Sequence, residues 1–128
     1  AMSRNVAVQV DIRRNIRVSC KNMKEIIRIL GIFLDNAIEA AEDCDPAGAV
    51  YIRLDQTDRG VMIQIENTYK EKPELSKMYE KGWSTKGEGR GNGLYRTKEM
   101  IEEQENLYHQ CRIEDDRMIQ TLEIEQQK

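Results

Sequence analysis

The segment NMKEIIRILGIFLDNAIEAAED, Asn22–Asp43, decides the fold because its apolar residues recur at intervals of three and four. That spacing is typical of a helix that buries one face against a core. Asn22 followed three residues later by Glu25 resembles an N-terminal capping signal. We therefore predict a long, mostly buried helix over about Met23–Asp43. Its expected core residues are Ile26, Ile29, Leu30, Phe33 and Ala37, flanked by Ile27, Leu34 and Ile38.

Segments with the period of a β-strand lie on both sides of this helix. Before it, apolar residues alternate with small or polar ones from Val6 to Ile12, which predicts a half-buried strand. After it, two alternating runs flank a turn and predict a hairpin. The elements predicted after the first helix are strands at 50–54 and 61–65, a short helix near 75–80, a helix at 94–105, and strands at 107–113 and 118–124.

The order of these elements differs from the regular strand–helix alternation of a doubly wound parallel sheet. The predicted fold class is therefore α+β, a two-layer α/β sandwich in which a mixed β-sheet is covered on one face by helices. The 128 residues fit a single domain, 1–128, with one hydrophobic core, and residues 1–3 are interpreted as partly vector-derived. No stretch approaches the roughly 18 apolar residues of a membrane span, and the scattered cysteines are expected to be reduced thiols.

The charge of the chain is unevenly distributed. The net charge is −3, yet five basic residues and a single acidic one lie between Lys81 and Lys98. A positive segment in an acidic molecule predicts that an anion binds there. The segment is short and poor in aromatic residues, so we expect a compact polyanion and no nucleic acid.

This positive segment, GWSTKGEGRGNGLY at Gly82–Tyr95, is rich in glycine. Glycine at every other position from Gly87 to Gly93 lets several backbone N–H groups approach phosphate oxygens, and the following helix adds its positive end. Lys86 and Arg90 are candidate cationic donors, and the hydroxyls of Ser84 and Thr85 are further candidates. The spacing fits neither the P-loop nor the dinucleotide fingerprint, and taken alone the segment is also typical of a flexible turn.

Asn36 is the candidate metal ligand. Its carboxamide lies on a helix that is otherwise apolar toward the core, so a partner is expected for it. Magnesium accepts one or two protein oxygens when substrate phosphates complete its coordination. Asn36 is also compatible with an ordinary hydrogen-bonded helix position. The long irregular stretch from about Asn67 to Arg90, which runs into the glycine-rich segment, is predicted to form a nucleotide lid.

Two of these segments resemble motifs of a known family. LDNAIEAA, at residues 34–41, resembles the N box, and STKGEGRGNGL, at residues 84–94, resembles the joined lid end and second glycine box of the GHKL ATP-binding superfamily. Within it the chain most resembles the catalytic domains of sensor histidine kinases, in particular the branch of the peptide-pheromone (quorum-sensing) receptors. The resemblance extends from about Ile26 to the C-terminus.

The resemblance implies a Bergerat fold that binds ATP and Mg²⁺ between the N-box helix and a lid and transfers a phosphoryl group to a histidine. It assigns Asn36 to the magnesium ion and Asn36, Lys86 and Arg90 to catalysis. The residues that it places around the nucleotide are Asn36, Ala40, Asn67, Ser84, Thr85, Lys86, Gly89, Arg90, Gly91, Asn92, Gly93 and Leu94.

The chain departs from the family pattern at three positions. Asn67 stands where the first glycine box has an Asp that holds the adenine amino group; it is the expected substitute, although it could also merely begin a loop. Ile32 stands where hydrolysing relatives carry a Glu that activates water, so rapid hydrolysis is not expected. Glu39 replaces a common Lys, which leaves phosphate neutralisation to the cationic segment and the metal.

The chain is interpreted as the ATP-binding part of a larger kinase. The single histidine, His109, lies in a predicted strand and is not expected to be the phosphoacceptor. The dimerisation and phosphoacceptor helices and the sensor are expected in other domains of a membrane-anchored bacterial receptor, with this part in the cytoplasm and not touching the membrane. Alone, the fragment is expected to be a monomer that does not autophosphorylate, and its link to a response regulator is indirect.

The sequence is compatible with two functions other than a histidine kinase domain. An anti-sigma-factor-like serine protein kinase of the same fold would share the nucleotide site. A degenerate interaction module that binds no nucleotide is the alternative outside enzymes, because the glycines of the first glycine box are absent. Trp83, beside the lid, is interpreted as an anchoring hydrophobe rather than an adenine stacker.

Overall fold

The computed structural model describes residues 6–13, 15–44, 48–78 and 93–126. The predicted elements are present, and their bounds differ from the predicted ones by a few residues. They are β1 (Ala7–Ile12), α1 (Met23–Glu42), β2 (Ala49–Gln56), β3 (Gly60–Thr68), α2 (Leu75–Met78), α3 (Gly93–Glu102), β4 (Leu107–Glu114) and β5 (Arg117–Glu125).

The strands form one five-stranded sheet in the order β1-β2-β3-β5-β4. β1 pairs with β2 in parallel, and the other neighbouring strands are antiparallel, so the sheet is mixed. Directly paired residues share a face of the sheet, and the pairs Ile52–Ile65 and Ile63–Leu122 carry their side chains on the helix side. The predicted mixed sheet covered on one face by helices is confirmed.

The core lies between α1 and this face of the sheet. Helix α1 packs over β2 and β3 and also contacts α3, which in turn contacts β4. Each fully buried aliphatic side chain contributes about 1.5–3 kcal/mol to folding. The buried residues of α1 are Ile26, Ile29, Phe33, Ala37 and Ala41, and those of the strands include Val50, Val61, Ile63, Ile65, Leu107, Leu122 and Ile124.

Two predictions of burial are wrong. β1 was predicted to be half-buried, but Val8, Val10 and Ile12 are 53–58% exposed, because β1 is an edge strand and α1 lies over the neighbouring strands. Ile27, predicted to flank the core, is 63% exposed. It is rotated by about 100° from buried Ile26 on the helix, which carries it beyond the buried stripe.

The predicted side-chain cap of α1 is also wrong. Asn22 does occupy the N-cap position, but its side chain forms no capping hydrogen bond. It is buried and its Nδ2 donates instead to Asn106 Oδ1 at 2.7 Å and to Gln104 Oε1 at 2.8 Å. The start of α1 is thereby joined to the turn between α3 and β4.

The chain turns sharply after α3 and after β4. α3 ends at Glu102, three residues earlier than predicted, because residues 103–106 turn into β4 and Asn106 O accepts the Glu125 N–H at 2.8 Å. Asp115 and Asp116 join β4 to β5 with φ of 51° and 60°, the left-handed pair that a tight hairpin requires. None of the helices in the described ranges has the length and apolar character needed to cross a bilayer.

Candidate functional site

Asn36 lies where α1 meets the first residue of α3. A Cβ added to Gly93 would be 3.5 Å from Ile32 Cγ2 and 3.8 Å from Asn36 Nδ2. Ile32 and Asn36 are one helical turn apart, so they form a single surface of α1 that faces the beginning of α3. The structure therefore brings the proposed metal ligand and the last glycine of the glycine-rich segment together, although they are 57 positions apart in the sequence.

The surroundings of Asn36 leave its carboxamide available to a ligand. The residue is half-buried, and within the described part of the chain its side chain forms no hydrogen bond. α3 is ten residues long, and no acidic side chain lies in its first turn. The positive end of this helix is thus not neutralised by an acidic side chain of its own first turn, which favours an anion beside Asn36.

Asn67 occupies the penultimate position of β3 and is only 2% exposed. β3 continues to Thr68, so Asn67 lies within the strand and does not begin a loop. Its Nδ2 donates to Thr68 O at 2.9 Å. Among the residues that the structure describes, Asn67 Oδ1 accepts no hydrogen bond, which leaves it as an acceptor for a ligand.

The end of α1 links Asn36 to Asn67. Ala40 follows Asn36 by one turn, about 6 Å along the helix axis. Cys44 Sγ lies 3.8 Å from the Ala40 carbonyl oxygen and 3.4 Å from Thr68 Oγ1, so its single S–H donates to one or the other. The start of α3, Asn36, Ala40 and the end of β3 are therefore successive neighbours along α1.

Most of the predicted phosphate cradle lies outside the described residues. Gly93 and Leu94 are described, and Leu94 is half-buried and packs against the core. The assignments that stay predictions without a described position are those of Ser84, Thr85, Lys86, Gly89, Arg90, Gly91 and Asn92, together with the lid and the interpretation of Trp83.

Thr68 and Gly48 contact each other at the end of β3, and neither was predicted from the sequence as part of the site. The Thr68 hydroxyl accepts the Ala49 N–H at 3.0 Å, and a Cβ on Gly48 would overlap that hydroxyl. A threonine directly after Asn67 was the available signal, but its role depends on a strand pairing that the sequence does not specify.

His109 lies on the helix-facing side of β4. Its ring stacks on Phe33 of α1 with centroids 5.1 Å apart, and its Nε2 is hydrogen-bonded to Gln120 Oε1. Burial lowers the pKa of His109 below its usual value, and the hydrogen bond that its ring donates to Gln120 acts in the opposite direction. In the described residues, no group of three or more His, Cys, Asp or Glu side chains is arranged to hold a metal ion.

This burial predicts a dependence of stability on pH. The unfolded chain binds a proton at His109 near pH 6.5, whereas the folded protein binds it only at lower pH. Stability is therefore expected to fall as the pH is lowered from about 7.5 to about 5.5, by at most about 1.4 kcal/mol per pH unit for one proton. Urea unfolding should show this slope in the wild type and lose it in His109→Gln. An equal slope in both proteins would assign it to other groups.

Comparison with known proteins identifies what this arrangement is similar to. A family described as GHKL domain matches residues 21–125. The catalytic domain of histidine kinase ThkA, in a nucleotide-free form, matches with a TM-score of 0.76 at 19% identity, covering 94% of this chain and 79% of that one. ThkA was also solved in complex with the response regulator protein TrrA.

Two other histidine kinases have the same fold. The mycobacterial sensor histidine kinase MprB matches with a TM-score of 0.73 at 18% identity, covering 94% of this chain and 81% of that one. The histidine kinase AdeS of Acinetobacter baumannii matches with a TM-score of 0.72 at 17% identity, covering 96% of this chain and 55% of that one. At such identities the likeness shows the α+β fold. No curated protein sequence matches the chain significantly.

Proposed function

The chain belongs to the GHKL family, and from this premise we propose that it is the ATP-binding catalytic domain of a bacterial sensor histidine kinase. In this proposal it binds ATP with Mg²⁺ and presents the γ-phosphate to a histidine on a separate domain. One observation carries the nucleotide site: the Asn36 carboxamide, without a hydrogen bond in the described part of the chain, lies 3.8 Å from the Cβ position of Gly93 at the start of α3.

The described residues fit a magnesium nucleotide. Asn36 Oδ1 is the oxygen that would hold Mg²⁺, and the ion would supply neutralisation of the triphosphate. The first N–H groups of α3 would bind phosphate oxygens beside it. Asn67 Oδ1, buried and without a donor among the described residues, would accept from the adenine amino group. Lys86 and Arg90 would bind the outer phosphates.

The proposed chemistry is transfer rather than hydrolysis. Ile32 lies one turn before Asn36 and contacts the position of Gly93, so this point of the site holds an apolar side chain and no carboxylate. Without a base there, a water molecule is not activated, and positioning and electrostatics carry the transfer to an incoming nucleophile. The nucleophile would come from the dimerisation and phosphoacceptor helices of the same full-length kinase.

The rest of the signalling proposal follows from this assignment. His109 packs against Phe33 under α1 and is not placed to receive a phosphoryl group, so the isolated chain is not expected to autophosphorylate. The proposal assigns dimerisation to other helices of the full-length kinase, and the isolated chain is therefore expected to be a monomer. The complex of ThkA with a response regulator supports an indirect link to such a regulator here. The proposal includes a membrane-anchored receptor with this domain in the cytoplasm. The N-box and lid-end motifs support the quorum-sensing branch.

Replacement of Asn36 by Ala tests the nucleotide site. We expect its affinity for a non-hydrolysable ATP analogue to fall at least about tenfold, or about 1.4 kcal/mol, because the metal loses its protein ligand. The measurement is calorimetric titration with magnesium and again with chelator, and the remaining affinity of the variant should no longer respond to magnesium. Asn15→Ala, at an exposed position before α1, is the matched control and should bind as the wild type does.

Two results of this titration would contradict the proposal. If the wild type shows no heat at millimolar nucleotide, the chain is not an ATP-binding domain and the degenerate interaction module takes its place. If the analogue binds equally well to the wild type and Asn36→Ala, with or without magnesium, the assignment of Asn36 is wrong.

A further inference from the structure

β1 forms one end of the described sheet, so one of its two edges has no neighbouring strand there. On its other edge, the Ala7 N–H donates to Gly48 O at 3.2 Å and the Arg13 N–H donates to Leu54 O at 3.1 Å. Main-chain groups directed at the same neighbour recur at every second residue of a strand. The odd-numbered residues of β1 therefore bond to β2, and the even-numbered residues direct their N–H and C=O groups at the free edge.

The same even-numbered residues carry exposed apolar side chains. Val8, Val10 and Ile12 are 53–58% exposed, and their partners in β2 belong to the core or pack against it. Directly paired residues share a face of the sheet, so the three side chains lie on the helix side. α1 packs over β2 and β3 and leaves these side chains uncovered. Main-chain groups that point away from β2 and an apolar surface thus coincide on one edge.

β1 lacks the features that normally protect an edge strand. Such strands carry proline, lysine or a bulge, or are covered by another element. β1 has the sequence AVQVDI, and its pairing with β2 runs without a bulge from Ala7–Ala49 to Ile12–Leu54. β4, at the other end of the sheet, differs because α3 contacts it. β1 is therefore the edge at which a further strand would bury exposed apolar surface.

The edge is complementary to a second copy of itself. Valine or isoleucine occupies each even position from 6 to 12, and Gln9 is the middle of this segment. In an antiparallel pair with its two-fold axis at Gln9, each Val8 lies opposite Val10 of the other copy and each Val6 lies opposite Ile12. All four apolar side chains of each copy then lie on the helix side, and the main-chain groups of these pairs point at one another.

The polar face of β1 favours this register. With the axis at Gln9, the two Gln9 carboxamides face each other, and each has a donor and an acceptor for the other. Asp11 stands opposite Ala7 of the other copy and keeps Arg13 of its own copy beside it, at 3.6 Å. With the axis at Asp11, the two carboxylates would lie directly opposite each other, which is destabilising. A shift by one residue would turn the apolar side chains of one copy to the other face.

We propose that the free edge of β1 is a homodimerisation surface, at which a second copy of this chain adds its β1 in antiparallel orientation and joins the two sheets. Strand addition of this kind uses main-chain hydrogen bonds and alternate side chains. The exposed side chains of β1 bury much less than the about 800 Å² per partner of a stable interface, so the dimer is weak. The chain is a monomer at micromolar concentrations and a dimer toward about 1 mM. The inference does not depend on nucleotide binding.

Sedimentation equilibrium from about 0.01 to about 1 mM protein measures this association. Val10→Lys places a charge in the apolar face and should weaken the dimer at least about tenfold. Tyr108→Lys is the matched control, because Tyr108 lies on the other edge strand, β4, and is 50% exposed against 54% for Val10. This variant should associate as the wild type does.

Amide hydrogen exchange locates the interface in the wild type alone. Exchange at Val8, Val10 and Ile12 should slow about two- to threefold between the dilute and the concentrated sample, because it then occurs from the remaining monomer. The amides of Gln9 and Asp11, which point at β2, should keep their rates. This alternation is the signature of pairing at the free edge.

Three results would overturn the proposal. The first is a wild type that stays monomeric at the highest concentration, with unchanged exchange at the even-numbered amides of β1. The second is a dimer that Val10→Lys and Tyr108→Lys weaken equally, since another surface would then hold it. The third is protection of the edge only in a longer chain with further domains, which would assign the edge to a different occupant. Should Val10→Lys not fold, Val8→Lys carries the same expectation.

Discussion

Ile29→Ala is expected to lower the free energy of unfolding by about 2–5 kcal/mol, whereas Ile27→Ala, two residues away, should change it by no more than about 0.5 kcal/mol. Ile29 is 0% exposed between α1 and the sheet, and Ile27 is 63% exposed. Both substitutions are the same change within the same helix and gain the same helix propensity. The difference between them therefore measures burial alone.

Urea denaturation followed by circular dichroism is the measurement, with equal m-values in the three proteins as the sign that the same surface unfolds. A loss of about 3 kcal/mol is a large part of the 5–15 kcal/mol that typical domains have. Equal losses for Ile29→Ala and Ile27→Ala would mean that α1 is rotated relative to the sheet, or that a partner covers Ile27.

The helices and strands could be predicted from the sequence because their periods are local properties. The three- and four-residue spacing fixed α1 to within a residue, and alternation located both hairpins. Periodicity does not predict where a strand lies in the sheet, or whether a helix covers it. The valines of β1 alternate as those of a half-buried strand do, but β1 lies at an edge that α1 does not cover, and Ile27 shows the same limit on the helix.

The candidate site was predictable where a motif fixes a residue and unpredictable where two distant segments meet. Asn36 and Asn67 were proposed from their places in recognisable segments, and the structure places one beside Gly93 and the other in the buried end of β3. The role of Thr68 depends on the register between β2 and β3 and on the close approach of Gly48. Neither is encoded in local spacing.

The polar network around Asn106 carries the second large effect, since it is buried and joins three parts of the fold. Asn106 Nδ2 is 3.2 Å from both Asn22 Oδ1 and Glu125 O, and its Oδ1 accepts from Asn22 Nδ2 at 2.7 Å. Asn22 and Asn106 are 8% and 5% exposed. Water cannot readily replace a lost partner at such positions, so each unsatisfied group costs about 1–3 kcal/mol.

Asn106→Leu is accordingly expected to destabilise the domain by about 3 kcal/mol, because the side chain keeps its volume while the Asn22 Oδ1 and Glu125 O acceptors lose their donor. Asn15→Leu, the same change at an exposed position, should cost about 0.5 kcal/mol or less.

The double variant Asn22→Leu/Asn106→Leu should cost less than the sum of the two single changes, because it removes both partners together and leaves fewer groups unpaired. Urea unfolding of the wild type, the two single variants Asn22→Leu and Asn106→Leu, and the double variant gives the four free energies of this double-mutant cycle. Additive losses would show that the two asparagines act separately, and that the start of α1 is not held by the turn before β4.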